Sequence, residues 1–394
     1  MPDRKGATRL EDLPKEMMHQ ILIRLPGKAV GRCRAVIKSW CSATSTPEFK
    51  LEHHRRQPLL PIVNGEGRPA SYVVLGDAGA GTSNQELWPL VREDKQNFNI
   101  LIGSCDGFFI IFRCGPSQFC ICNPVTRKAA LLPEPSGQYN FLIGFYIHHP
   151  TGEYRVLWVS TSHLFSKITL YILTVGYDKP RHAIVRMPAV SSPSMQQKLL
   201  TGLSLSSKHS SPVHHRGSLH WCLHGAGDVT GDAGDIIVFD TEAESFRLMH
   251  SPAQSCSNRK LFDMKGTLAF WAGSTPSFTS MDVWVMQDYE AEIWAFKYRI
   301  ELSTVEASRQ LYLSSYKKKK KTPHDSAVQS FDDMAVLNER EVLIRFNDKH
   351  VLRCDIDGKF LGLVNIAKSQ YCMSLTQHHL QESILPIPSH EMQG

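Results

Sequence analysis

The chain has 394 residues, 42% hydrophobic and 21% charged, a globular composition with room for one large domain or two or three modest ones. It contains no run of roughly 18 uncharged apolar residues and no apolar core behind the opening MPDRKGATRLEDLP, so neither a membrane helix nor a secretory leader is expected. Residues 1–56 carry the whole net charge of +6 and the rest is balanced, which excludes a dedicated nucleic-acid binder, and ten cysteines without tight pairing read as reduced thiols.

The first segment reads as helical. Leu13-Pro14 opens it, with Pro14 in the first turn and Asp12 as the cap, and Met17, Met18, Ile21, Leu22 and Leu25 recur at spacings of three and four. Pro26-Gly27 ends that helix. A second is expected from Lys28 to about Trp40, with Val30, Cys33, Val36, Ile37 and Trp40 on one face and Lys28, Arg32, Arg34 and Lys38 on the other. A short third piece follows near Thr46-Pro47-Glu48-Phe49. About 45 residues bury too little apolar surface to be comfortably stable alone, so such a unit is expected to lean on a partner.

The string LEDLPKEMMHQILIRLPGKAVGRCRAVIKSWCSATSTPEF resembles an F-box, with Ala29 and Gly31 as small departures. The resemblance implies docking onto a Skp-type adaptor through Leu13, Pro14, Met17, Ile21, Leu22, Leu25, Pro26, Lys28, Val30, Arg32, Cys33, Val36 and Trp40. It places this domain at residues 8–54.

From about Tyr72 the periodicity turns two-fold. Candidate strands span 108–112, 119–122, 142–147, 155–160, 168–174, 183–187, 219–223, 236–240, 246–249, 267–271, 282–286, 293–298, 341–346 and 351–355. Turn chemistry separates them: Asp106-Gly107 signals a hairpin, and the side chains of Asn123 and Thr126 are expected to fix a tight corner by bonding nearby backbone. Many short strands over some 330 residues, often closing in an aspartate (YDK, FDT, CDIDG), favour a propeller, and roughly four strands per blade suggest about six blades. Trp221, Trp271, Trp284 and Trp294 are expected to fill the space between stacked sheets.

This stretch resembles the plant F-box-associated domain at four ordered places: GSCDGFFIIF…FCICNPVTRKAALLPEP, IGFYIHHPTGEYRVLWV, GSLHWCLHG…DIIVFDTEAESFRLMHSP and GTLAFW…MDVWVMQDYEAEIWAFKYRIEL. The resemblance implies two domains of α+β character, a helical F-box followed over 55–390 by a propeller-like substrate-recognition domain.

Other chemistry is sparse. Cys105, Cys114, Cys120 and Cys122 lack zinc-knuckle spacing, and the C-x-C pair is expected to present its thiols on opposite faces as small buried apolar groups. His148-His149, His214-His215, His220 and His224 match no metal or acid–base motif. Asp228, Asp232 and Asp235 in GDVTGDAGD lack calcium-loop spacing and read as a solvated loop. Lys317 to Lys321 read as a solvated loop or a nuclear-import signal. These two loops are the candidates for target contact.

The resemblance implies a non-catalytic subunit of a Skp–cullin–F-box ubiquitin ligase, cytoplasmic or nuclear, that needs no cofactor or metal. Its partners would be the adaptor, through it cullin and the RING subunit, and a target protein. An adaptor-binding module outside an active ligase and an enzyme built on a propeller stay open as alternatives.

Overall fold

The computed structural model describes residues 13–66, 71–75, 85–89, 99–162, 167–179, 181–182, 202–203, 211–222, 236–252, 259–273, 279–315, 331–338, 340–347, 350–364 and 372–388. Asp12, the proposed strand at 183–187, His224, GDVTGDAGD and Lys317–Lys321 lie outside these residues.

Four helices come first: α1 (Lys15–Leu22), α2 (Gly27–Val36), α3 (Lys38–Ala43) and α4 (Pro47–Arg56). Pro14 is the cap residue of α1 rather than part of its first turn. The second helix expected to Trp40 is two helices, because Ile37 adopts φ −126° and ψ 119° and interrupts the α-helix. The break turns Ile37 toward the helical core and leaves Val36 81% exposed. Thr44 secures the far end, accepting from the Arg34 guanidinium and donating to the Trp40 carbonyl at 2.7 Å. The short third piece is a ten-residue helix, α4, started by Thr46 as cap and Pro47 in its first turn. It runs to Arg56, through the expected domain boundary.

The described strands then form six four-stranded antiparallel sheets. Sheet 1 holds β1 (Leu59–Glu66), β2 (Ser71–Leu75), β3 (Gln85–Pro89) and, from the last part of the sequence, β24 (Cys372–Gln381). Sheet 2 holds β4 (Asn99–Cys105), β5 (Phe108–Arg113), β6 (Gln118–Asn123) and β7 (Lys128–Leu131). Sheet 3 holds β8 (Tyr139–His148), β9 (Glu153–Ser162), β10 (Lys167–Thr174) and β11 (Arg181–His182). Sheet 4 holds β12 (Val213–His215), β13 (Ser218–Cys222), β14 (Ile236–Asp240) and β15 (Ser245–Met249). Sheet 5 holds β16 (Arg259–Met264), β17 (Thr267–Gly273), β18 (Ser280–Asp288) and β19 (Ile293–Glu301). After α5 (Leu302–Ser315), sheet 6 holds β20 (Phe331–Val336), β21 (Glu341–Phe346), β22 (His350–Asp355) and β23 (Phe360–Leu363).

Each neighbouring pair of sheets shares one apolar cluster, and the clusters run round a closed circle. Tyr72 and Leu380 meet Phe109 and Cys120 between sheets 1 and 2. Phe119 meets Trp158 between sheets 2 and 3, and Leu157 meets Trp221 and Phe239 between sheets 3 and 4. Met249 meets Phe270 between sheets 4 and 5, and Trp271 meets Phe346 between sheets 5 and 6. Leu343 and Val351 meet Val63 and Leu375 where sheet 6 returns to sheet 1. The architecture is a β-propeller, with β4, β8, β12, β16, β20 and β24 innermost round a channel.

Trp221 and Trp271 are 1% exposed between sheets, as expected, and Trp284 and Trp294 pack against the cluster between sheets 4 and 5 while only half-buried. Cys120 and Cys122 correct the expectation of opposite faces. They stand two apart, and a strand's period of two puts both in the cluster between sheets 1 and 2.

The turns show why the chain reverses where it does. Asp106-Gly107, Arg216-Gly217 and Lys265-Gly266 follow the innermost strands of sheets 2, 4 and 5, each with two consecutive positive φ angles. The corner before the outermost strand is tied by a side-chain oxygen in four sheets. Asn123 Oδ1 accepts from the amides of Val125 and Thr126, and Asp240 Oδ1 from those of Glu242 and Ala243. Asp288 accepts from Glu290 and Ala291, and Asp355 from Asp357 and Lys359.

Gly107 and Gly266 both have left-handed backbone, but only Gly107 is crowded: a Cβ there would sit 2.5 Å from the Gln381 carbonyl oxygen and 2.5 Å from Ser383 Cβ. Gly266→Ala, with open space around it, should cost about 1–2 kcal/mol of strain alone. Gly107→Ala should cost about 3 kcal/mol or more, because the end of β24 must also shift. Urea unfolding midpoints of the two variants measure the difference.

Candidate functional site

Two regions gather side chains that secondary structure alone does not demand. The first is the helical unit. Met18, Leu22, Ile23, Val30, Trp40 and Phe49 form its core, with Leu13, Leu25, Cys33 and Ile37 partly buried against it. Of the residues expected to dock the adaptor, Leu22, Val30 and Trp40 therefore face inward. The apolar stripe of α1 is in fact two-sided: Met18 and Leu22 face the core, while Met17 is 53% and Ile21 43% exposed. Pro14, Met17 and Ile21 fall at helical spacing on the outer side, and Pro26, Arg32 and Val36 are exposed on the next segment.

That core is completed by residues from the propeller. Ile384, beyond β24, belongs to it at 8% exposure, and Val125 from the β6–β7 corner packs against it. The first turn of α2 has no side-chain cap of its own because Pro26 stands at the cap position. Glu382 supplies one, its carboxylate accepting from the Lys28 amide at 3.2 Å. A Cβ on Gly27 would come within 3.0 Å of both Glu382 and Val125. Gln381 donates to the carbonyls of His54 and Gln57 at the end of α4, and Asn123 donates to those of Ser383 and Leu385 at 2.9 Å each. The Asn123 amide thus ties both its own corner and the strand that holds the helices. The Thr126 hydroxyl, expected to share that task, makes no hydrogen bond among the described residues. Burial opposes ionisation of Asp106, yet His54 at 3.9 Å and the Tyr154 hydroxyl at 3.2 Å hold its pKa below the ordinary carboxylate range.

The second region is the channel and its rim. His378 of β24 is buried, with Nδ1 3.3 Å from the Ser104 hydroxyl and Nε2 3.0 Å from that of Ser211. Burial, then the neighbouring His379, His214 and Lys260, lowers its pKa to about 3. His220, fully buried, bonds the Val213 carbonyl and the Tyr289 hydroxyl, and burial lowers it to about 3 as well. Lys260 pairs with Asp333 at 2.7 Å between the innermost strands of sheets 5 and 6. At the rim, His215, Arg216, Asp263, Gly266 and Tyr289 line a cleft of about 400 Å³. His214, His215 and His220 stand out in the sequence without a role, and Tyr289 enters there only as part of the QDYEAE stretch that resembles the F-box-associated domain, with no role of its own. His148 meets Thr151 at 2.8 Å within its own turn.

Residues 92–321, more than half of the chain, match the family model described as the F-box associated beta propeller domain. The chain belongs to that family. Among Arabidopsis thaliana relatives, it is 25% identical over 315 residues to F-box protein At3g07870, covering 74% of this chain and 73% of that one. It is 30% identical over 169 residues to F-box protein At5g18160, covering 41% and 43% of the two chains. A third, F-box protein At5g49610, is 24% identical over 319 residues, 77% of this chain and 82% of that one. The sequence resemblance to plant F-box proteins with an F-box-associated domain therefore holds. Among the described residues, no helix is long and apolar enough to cross a membrane.

The buried histidines set a pH dependence. Both stay unprotonated in the folded chain well below pH 6.5, whereas the unfolded chain binds protons there, so their contribution is complete above about pH 6.5 and lost as pH falls toward 3. The melting temperature should fall between pH 7 and pH 4.5, and His378→Gln should flatten that slope while costing stability at pH 7. Calorimetry of both proteins over that range is the measurement.

Proposed function

We propose that this chain is the substrate-recognition subunit of a Skp–cullin–F-box ubiquitin ligase, with the F-box in residues 8–54 and the recognition domain in 55–390. The observation that carries the reading is the two-sided α1: a 42-residue helical unit whose core is already filled by Ile384 and Val125 still presents Met17 and Ile21 of α1, and Val36 at the end of α2, to solvent. Apolar side chains left out beside a completed core suit a docked partner. Membership of the F-box associated propeller family, and relatives that bear the F-box name, support a Skp-type adaptor as that partner.

In this reading Pro14, Met17, Ile21, Pro26, Arg32 and Val36 touch the adaptor, with Leu13, Leu25, Lys28 and Cys33 at the margin of the contact. Leu22, Val30 and Trp40 act by holding the helices in place. The chain performs no chemistry itself. It raises the effective concentration of target lysines near the ubiquitin-charged enzyme that cullin and the RING subunit recruit, and a rigid connection between helices and propeller makes that geometry reproducible.

Co-purification of the full chain with a plant Skp adaptor tests this. The wild type should retain the adaptor, and Met17→Asp combined with Ile21→Asp should lose it with the melting temperature nearly unchanged, since both side chains are outside the core. An intact chain that binds no adaptor, or a double variant that binds as well as the wild type, would contradict the proposal.

A further inference from the structure

The cleft on the rim of sheets 4 and 5 is built round one tyrosine. Tyr289 is 8% exposed, and its hydroxyl is fixed by His220 Nε2 at 2.8 Å, a residue with no exposure of its own. Two guanidinium groups lie against its ring, Arg216 at 5.3 Å and Arg247 at 5.0 Å from the centroid. The His215 ring stands 5.3 Å away. Arg247 is committed to Glu292 at 3.2 Å. Arg216 is not: among the described residues it makes no ion pair or hydrogen bond, and it lies against Tyr289 with His215 near enough to feel its charge.

The backbone explains how it is held there. Arg216 opens the β12–β13 turn at φ 47° and Gly217 continues it at φ 68°, which sets the side chain at the mouth of the cleft. The acid that shares the cleft, Asp263, is turned back on its own corner, with both oxygens 3.1 Å from the Gly266 amide. A guanidinium stacked on a rigid ring keeps its donor edge planar and uncommitted, the geometry that matches two oxygens of a carboxylate or phosphate.

We propose that this cleft binds an oxyanion on the target protein, the carboxylate or phosphate of one side chain, through Arg216 with His215 beside it. The identity of the carrier as a target protein rests on the receptor reading above; the anion site does not. In the ring, sheets 4 and 5 lie across the channel from sheets 1 and 2, where the helical unit docks. A target held at Arg216 would thus share a rim with the adaptor while leaving the exposed side of α1 clear.

The test follows the Arg216 Nε–Hε signal of the full chain by NMR, assigned by its disappearance in Arg216→Lys. The probes are inorganic phosphate and three ten-residue peptides identical except for a central serine, glutamate or phosphoserine. The signal should shift saturably with phosphate and with one or both acidic peptides, and not with the serine peptide. By calorimetry Arg216→Ala should weaken the bound acidic peptide by roughly ten- to a hundredfold, and Arg216→Lys by less. Preference between glutamate and phosphoserine identifies the source of the anion. No shift through millimolar concentrations, equal binding of the serine peptide, or unaltered affinity in Arg216→Ala would overturn the site. Adaptor co-purification of the wild type is a separate readout: a wild type that binds phosphate at Arg216 and retains no adaptor sinks the receptor reading alone.

Discussion

Strand β24 is drawn from the last part of the sequence into a sheet whose other three strands come from its beginning, and the rest of the molecule depends on that pairing. It runs antiparallel to β1 from Leu59 opposite Gln381 to Glu66 opposite Cys372. Through it, the cluster between sheets 6 and 1 and that between sheets 1 and 2 each obtain a wall, from Leu375 and Leu380 respectively. A four-stranded sheet has an inner edge that must be covered, and a ring of sheets has none only when its last member finds the first. The same strand continues into Glu382, Ser383 and Ile384, which cap α2, meet Asn123 and enter the helical core. Closure of the ring and attachment of the helices are therefore one event, made by about a dozen consecutive residues.

That economy explains how so small a helical unit is ordered. Burying one isoleucine side chain stabilises by about 1.5–3 kcal/mol, a large share for four short helices. The backbone bonds from Gln381 and the Glu382 cap add direction to an attachment that apolar contact alone would leave loose. The helices and the rim of the channel are thus held in one frame, so that whatever docks on one is fixed in position relative to the other.

How much of this the sequence discloses follows from where side chains point. Middle strands buried on both sides, such as β5, β9 and β14, read as apolar runs and were recognisable. Of the six innermost strands only β8 stood out. The others line the channel and mix polar with apolar residues, as in VHH of β12, FDDMAV of β20 and CMSLTQHHLQ of β24, so their periodicity is blurred. The corners at Asp106-Gly107 and Asn123 were legible because turn chemistry is local. The split at Ile37 was not, since nothing in AVIKSW breaks a helix; the break belongs to packing. Nor could α1 reveal that its stripe serves two sides, or Ile384 that it belongs to a core more than 300 residues upstream. Arg216 is an ordinary residue in sequence and Tyr289 is marked only as part of the QDYEAE stretch; the two meet only through the ring.

The most direct test of this account is hydrogen–deuterium exchange, read by mass spectrometry, on the full chain and on a chain ending at Gln381. If residues beyond β24 are what hold the helices, peptides from 15–56 should exchange far faster in the shortened chain while those from β12 to β19, which the described residues among those removed do not touch, keep their protection. Equal protection of 15–56 in both chains would show that the helical unit stands without Glu382 and Ile384, and would contradict the account.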